Sequence, residues 1–188
     1  MHLLNKITQI FKKICYNTSC KDERKIIKMN KALDVARYII NTSNNKKYFI
    51  TNLRLQKILY FVQMEFILRG KVCFEDKMEA WDYGPVVPIV YNHFKYYGAS
   101  NIEKVKYCYD DSDGIWNLKR TLYTDDILPK EDREIIDIVI EECHRFSTSR
   151  LVNISHSQSP WKNAVDKYDN EITVKAIQDF INQKKIKQ

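Results

Sequence analysis

Apolar residues recur at helical spacing over most of this 188-residue chain. The clearest stripe lies in ITNLRLQKILYFVQMEFILRG, residues 50–70, where apolar side chains from Leu55 to Phe66 return every three or four positions. Thr51 offers an N-cap for this helix and Gly70 a C-cap. We expect the helix to lie at the centre of the hydrophobic core.

Shorter helical stripes surround this segment at 29–44, 85–98, 129–145, 147–165 and 173–186. The prolines at 85 and 88 fit the first turn of the second of these, because helix-starting N–H groups have no helical partner. Ser147 and Ser159 are candidate N-caps for two short helices in 147–165. Helices therefore account for most of the predicted structure.

Two places show a strand pattern instead. The period changes after Gly70, and residues 78–81 have the alternation of a strand. In KVKYCYDDSDGIWNLKR, Tyr107 and Tyr109 alternate with polar residues before an aspartate-rich turn, which predicts a hairpin. The expected fold class is mainly α: one compact helical domain with a small β element.

Residues 1–28 read as a basic amphipathic extension, and residues 29–188 as the domain. Apolar residues at 3, 4, 7, 10, 11 and 14 share one face of a predicted helix, with lysines elsewhere. Three roles remain open for this helix: docking on the domain, contact with a protein partner, or weak contact with an anionic membrane.

Positive charge is concentrated at the ends of the chain. The net charge is +7, and residues 1–31 contribute eight basic and two acidic side chains to it. The remaining 23 basic and 22 acidic residues nearly cancel. A basic groove through the domain is therefore not expected, and neither is specific nucleic-acid binding by the domain.

The cysteines and the apolar runs exclude several further classes. Five scattered cysteines without a CxxC pair predict neither a zinc site nor a disulfide framework, and we expect no cofactor. No uncharged apolar run approaches the ~20 residues that a spanning helix needs, and the N-terminus lacks a signal-peptide pattern. We expect a cytoplasmic protein.

Catalytic motifs are also missing from the sequence. The chain has no glycine-rich phosphate loop, nucleophile elbow or HExxH helix. Candidate nucleophiles and bases outside the extension are cysteines and histidines at scattered positions (Cys73, Cys108, Cys143, His93, His144 and His156). We expect a protein that is not an enzyme, and a hydrolase built on His156 and Asp82 remains an alternative.

The stretch EAWDYGPVVPIVY, residues 79–91, concentrates stiff and aromatic residues in a short turn. In one interpretation, Trp81 is buried and Asp82 caps the helix that starts near Pro85. In the other, Trp81, Asp82 and Tyr83 form a protein-binding surface, since tyrosine and tryptophan dominate interface hot spots. Both interpretations can hold together.

Three ordered motifs resemble the Panacea domain, also called the SocA-like antitoxin domain. They are LRLQKILYFVQ, then GxxxFExxxEAWDYGPVVPIVYNHFKYYG, then LxxISHxxxPWKNA. Together they place the resemblance over about residues 30–181. The motifs carry a run of matching positions (Leu55, Gln56, Lys57, Leu59, Tyr60, Phe74, Glu79, Ala80, Trp81, Gly84, Pro85, Val86, Val87, Pro88, Val90, Tyr91, Phe94, Gly98, His156, Pro160 and Trp161).

This resemblance implies an antitoxin of a bacterial or phage toxin–antitoxin module. Domains of this kind neutralise a cognate toxin by binding it, and in one branch they act as proteolytic adaptors that deliver the toxin to a protease. The implied fold is compact and mainly helical, without a cofactor. A DNA-binding autoregulator remains an alternative function.

We predict that the turn at 81–88 and the loop at 156–161 lie side by side and form a rigid polar-aromatic surface. Prolines would fix its shape in advance and reduce the ordering cost of binding. We also expect Asp82 to hydrogen-bond His156. The predicted partner-binding set joins both segments (Trp81, Asp82, Tyr83, Gly84, Pro85, Tyr91, His156 and Trp161).

Overall fold

Seven helices and two short antiparallel strand pairs make up the described part of the chain, residues 29–110 and 119–186 of a computed structural model. In chain order the elements are α1 (Ala32–Asn45), α2 (Asn52–Leu68), β1 (Glu79–Trp81), β2 (Gly84–Val86), α3 (Pro88–Phe94), β3 (Tyr107–Asp110), β4 (Lys119–Leu122), α4 (Lys130–His144), α5 (Thr148–His156), α6 (Ser159–Lys162) and α7 (Val174–Ile186). Single 3-10 turns follow α3 and precede α4. The predicted fold class is confirmed.

The central helix is α2, as its apolar stripe predicts. Every residue from Arg54 to Ile67 is buried, because α1, α4, α5, α7 and β2 all pack around it. The Thr51 hydroxyl accepts a hydrogen bond from the Arg54 N–H at 3.2 Å and caps the helix. Gly70 follows the helix with a φ of 77°. Both predicted caps are confirmed.

Polar side chains inside α2 bond to backbone atoms of its neighbours. The buried Arg54 guanidinium donates to the carbonyls of Cys143 at 2.8 Å and Phe146 at 3.0 Å. These carbonyls lie at and just beyond the end of α4, where helical partners run out. Since buried polar groups need partners, Arg54 of α2 supplies hydrogen-bond donors to the carbonyls at the end of α4.

Strands β1 and β2 form an antiparallel hairpin, which confirms the strand predicted at 78–81. The prediction for Pro85 is wrong: it lies in β2 opposite Ala80, and the helix begins three residues later at Pro88. Proline fits β2 because its missing N–H would face away from β1, where no ladder bond is needed. Val87 is the N-cap of α3, and no side chain of the described residues caps this helix, so Asp82 does not do so.

Strands β3 and β4 pair with Tyr107 opposite Leu122 and Tyr109 opposite Arg120, which confirms the second predicted hairpin. Residues 111–118, which hold most of the predicted aspartate-rich turn, lie outside the described residues. The extension at 1–28 also lies outside them. Within the described ranges, no helix is long and apolar enough to cross a membrane.

Candidate partner-binding site

The β1–β2 hairpin and the α5–α6 segment lie in direct contact. The Trp161 indole Nε1 donates a hydrogen bond to the Trp81 carbonyl at 3.0 Å. This hydrogen bond joins two residues that are 80 positions apart in the sequence. This confirms the prediction that the two tryptophan-bearing segments lie side by side.

The predicted hydrogen bond between Asp82 and His156 is wrong. His156 ends α5, and its ring stacks on Trp161 with 4.0 Å between centroids and 14° between planes. Among the described residues, the buried Nε2 of His156 has no hydrogen-bond partner, and Asp82, exposed at the hairpin tip, has none either. Burial, and then the neighbouring Lys57, lower the pKa of His156.

Beneath the hairpin, Gly84 rests directly on two polar side chains. Gly84 has a φ of 96°, which favours glycine. A Cβ at this position would lie 2.8 Å from the Ser155 Oγ and 2.9 Å from the Lys57 Nζ. Gly84 and Pro85 are both buried. These two members of the predicted partner-binding set therefore pack on the inner side of the hairpin and do not belong to its exposed surface.

The side chain that supports the hairpin most directly is Lys57. It is 0% exposed, and its Nζ donates a hydrogen bond to the Pro85 carbonyl at 2.8 Å. No carboxylate among the described residues forms an ion pair with it. Burial lowers the pKa of Lys57 to about 7 because the surroundings disfavour the charged amine.

Two more polar residues of α2 bind the same stretch of backbone. The Gln56 Oε1 accepts a hydrogen bond from the Val87 N–H at 2.9 Å, and the Asn52 Nδ2 donates to the Tyr91 carbonyl at 3.1 Å. The Gln56 amide in turn donates to the Asn52 side chain at 3.0 Å. Together with Lys57, one face of α2 thus fixes the chain from Pro85 into α3.

The sequence prediction of the site missed this supporting face. Gln56 and Lys57 matched the family motif, but the periodicity of α2 assigned them no role. Their signal is the presence of polar side chains in a helix that is otherwise apolar on every side. A helix of that kind is buried, so its polar residues require internal partners.

The outer side of the hairpin borders an open groove of about 620 Å³. It lies between the hairpin, the first turns of α2, the end of α3 and the 165–170 segment. Four members of the predicted set line it: Trp81, Asp82, Tyr83 and Tyr91. The other lining residues come from those neighbouring elements (Asn52, Leu53, Gln56, Ala80, Val86, Lys95, Gly98, Val165 and Asn170).

Aromatic rings form one wall of this groove. Trp81 and Tyr91 meet edge to face, with 4.9 Å between centroids and 66° between planes. The Trp81 Nε1 donates to Glu79 at 2.8 Å, and this bond lowers the pKa of that carboxyl. Tyr83 at the tip is 70% exposed. The groove therefore combines a braced aromatic wall with one large exposed ring.

Two of the candidate nucleophiles lie in surroundings that keep their thiols protonated. Cys73 and Cys143 are buried, and burial raises the pKa of both thiols, that of Cys143 to about 12. A thiol with so high a pKa stays protonated at neutral pH and is a poor nucleophile. His144 stacks on Tyr48 at 3.5 Å. No group of three or more potential metal ligands occurs within 29–110 and 119–186.

Comparison with known proteins places these residues in a family. The family described as antitoxin SocA-like, Panacea domain, matches residues 55–162, more than half of the chain. Antitoxin SocA of Caulobacter vibrioides (strain NA1000 / CB15N) is 34% identical over 117 residues, which are 60% of this chain and 58% of that protein. The chain thus spans less than two thirds of the length of this relative.

No solved structure matches the chain. The matched range contains α2 from Leu55 onward, the hairpin, α3 and the α5–α6 segment, and hence every member of the predicted partner-binding set. The side chains that hold the two tryptophan-bearing segments together lie in the same range. By sequence, this protein belongs to the antitoxin SocA-like, Panacea domain family.

Proposed function

We propose that this protein is an antitoxin that neutralises a cognate toxin by binding it, with the hairpin groove at the centre of the interface. The observation that carries the proposal is a braced aromatic hairpin beside an open groove, in a chain whose family is described as SocA-like antitoxins. Its relative from Caulobacter vibrioides is itself named an antitoxin.

The chemistry of the groove suits a protein partner. Tyr83 and Asp82 are exposed at the tip and bond to no other described residue, so they are available to a partner. Trp81 and Tyr91 supply an aromatic wall that is already ordered, which lowers the entropy lost on binding. A stable interface covers about 800 Å² per partner, so the groove would hold an anchoring side chain within a larger contact.

Binding can neutralise a toxin in two ways. The bound antitoxin can cover the toxic surface, or it can deliver the toxin to a protease. Measuring the half-life of the toxin in cells with and without this protein separates them, because only delivery shortens the half-life.

Co-expression with the product of the adjacent reading frame tests the proposal. We expect that product alone to stop growth and the wild-type protein to restore it. Tyr83→Ala should leave the free energy of unfolding within about 0.5 kcal/mol, because Tyr83 is a surface side chain without internal bonds. The same change should weaken toxin binding about 10-fold or more, as expected for an interface hot spot.

The matched control is Ile186→Ala, which removes another exposed side chain, 84% accessible, from outside the groove. This variant should bind the toxin and restore growth like the wild type. If wild-type protein neither binds the adjacent product nor restores growth, the proposed function is wrong. If Tyr83→Ala and Ile186→Ala behave alike, the groove is not the interface.

A further inference from the structure

The amine of Lys57 occupies a position that neither the family match nor the relative explains. It lies on the central helix, has no access to solvent, and points at the backbone of the hairpin that borders the groove. Burying an amine without a carboxylate is unfavourable, and an aliphatic side chain would fill the same space without that cost. The bond that Lys57 makes there is therefore its distinguishing feature.

We propose that Lys57 is a positioning residue for partner binding: its bond to the Pro85 carbonyl sets the height and direction of the hairpin tip, and thus the presentation of Trp81 and Tyr83. This inference rests on the proposed function for the identity of the partner. Lys57 would act on that binding surface from within the core, through its bond to the hairpin backbone.

Close contact between the hairpin and the amine supports this assignment. Gly84 lies so near the Lys57 amine that a Cβ would come within 2.9 Å of it, so no side chain fits between them. The 2.8 Å bond from the amine to the next residue, Pro85, opposes movement outward. The backbone at Gly84–Pro85 thus packs closely over the amine and is hydrogen-bonded to it.

The neighbouring hydroxyl groups bond elsewhere and not to the Pro85 carbonyl. The Ser155 hydroxyl donates to the Val152 carbonyl of its own helix, and the Tyr60 hydroxyl donates to Gln158. Pro85 has no N–H, so its carbonyl is the only backbone polar group it offers, and Lys57 is its hydrogen-bond donor. Removing the amine leaves that buried carbonyl without its donor.

The test compares Lys57→Met with Lys57→Gln in the full chain. Methionine keeps the apolar stem and removes the donor, while glutamine restores an uncharged N–H donor. At neutral pH we expect Lys57→Met to melt at the same temperature as the wild type or higher, because no amine has to lose its proton on folding. A residue with a merely structural role would not show stability and binding changing in opposite directions.

Two measurements test this role, one on the hairpin and one on partner binding. In the free protein, amide hydrogen exchange across residues 82–87 should become about 10-fold faster in Lys57→Met, with exchange in α4 unchanged. Affinity for the product of the adjacent reading frame should fall about 10-fold, and Lys57→Gln should recover at least part of both losses.

The outcomes separate this inference from the proposed function. Unchanged hairpin exchange in a folded Lys57→Met variant overturns the positioning role, whether or not a partner is known. Faster exchange with unaltered affinity for the partner overturns the link to binding. If the wild-type protein fails to bind the partner, the proposed function fails, while the exchange result still decides what Lys57 does to the hairpin.

Discussion

Replacing Lys57 by methionine should change how stability depends on pH. Burial lowers the pKa of Lys57 from 10.5 to about 7 in the folded protein. Folding must therefore remove a proton from this amine, or bury the charge, at any pH below 10.5. The wild type consequently gains stability as pH rises from 7 towards 10.5, and below pH 7 the full penalty is present.

The size of the effect follows from the two pKa values. Each pKa unit corresponds to about 1.4 kcal/mol, so the full penalty is about 5 kcal/mol. Between about pH 6.5 and about pH 9.5, the wild type should gain about 3 kcal/mol relative to Lys57→Met. The variant also loses the bond to the Pro85 carbonyl, which costs about 1–3 kcal/mol at every pH. We therefore expect the two stability curves to approach or cross at alkaline pH.

Urea denaturation followed by tryptophan fluorescence measures these curves. Groups that do not interact with Lys57 cancel in the difference, which therefore reports Lys57 together with its effect on the pKa of His156. Lys175→Met is the matched control, because it also replaces a lysine by methionine but at an exposed position on α7. If the difference in the free energy of unfolding between wild type and Lys57→Met changes by less than about 0.5 kcal/mol over this pH range, burial does not lower the pKa of the amine.

Two further changes address the packing of the site. Gly84→Ala should lower the free energy of unfolding by about 2–4 kcal/mol in denaturation experiments, because its Cβ would overlap two side chains at a positive φ. The control is Gly98→Ala, which has a φ of 53° and no atom within 4 Å of the Cβ and should cost about 1 kcal/mol. Equal costs for the two variants would contradict this packing. His156→Phe keeps a ring to stack on Trp161 but cannot titrate. Since the pKa of His156 is lowered on folding, wild-type stability should fall relative to this variant as pH drops from about 7 to about 5, and parallel melting temperatures would contradict that shift.

Much of the scaffold follows from local sequence signals. The apolar stripe of α2 predicts its burial, and Thr51 and Ser147 predict helix starts that their hydroxyls do cap. Proline at 88 begins α3 as its fixed φ favours. These signals depend on neighbours within one or two turns, so a single sequence contains them.

The site depends on contacts that local patterns do not encode. The local sequence around Pro85 predicts a helix start, but in the fold Pro85 pairs with Ala80 across the hairpin. Asp82 and His156 lie on adjacent segments, but the His156 ring faces Trp161, and segment proximity does not fix side-chain direction. The periodicity of α2 assigns Lys57 no role, because periodicity cannot distinguish solvent from a buried carbonyl as the partner of a polar group.

Site-specific photocrosslinking tests the central claim most directly, namely that the hairpin groove contacts a toxin. A photoreactive phenylalanine analogue is introduced in place of Tyr83, or in place of Ile186 as the control, and cells that co-express the adjacent reading frame are irradiated. The account predicts an adduct with the combined mass of both proteins from position 83 and none from position 186. An intact, growth-restoring complex that gives no adduct at position 83 would contradict it.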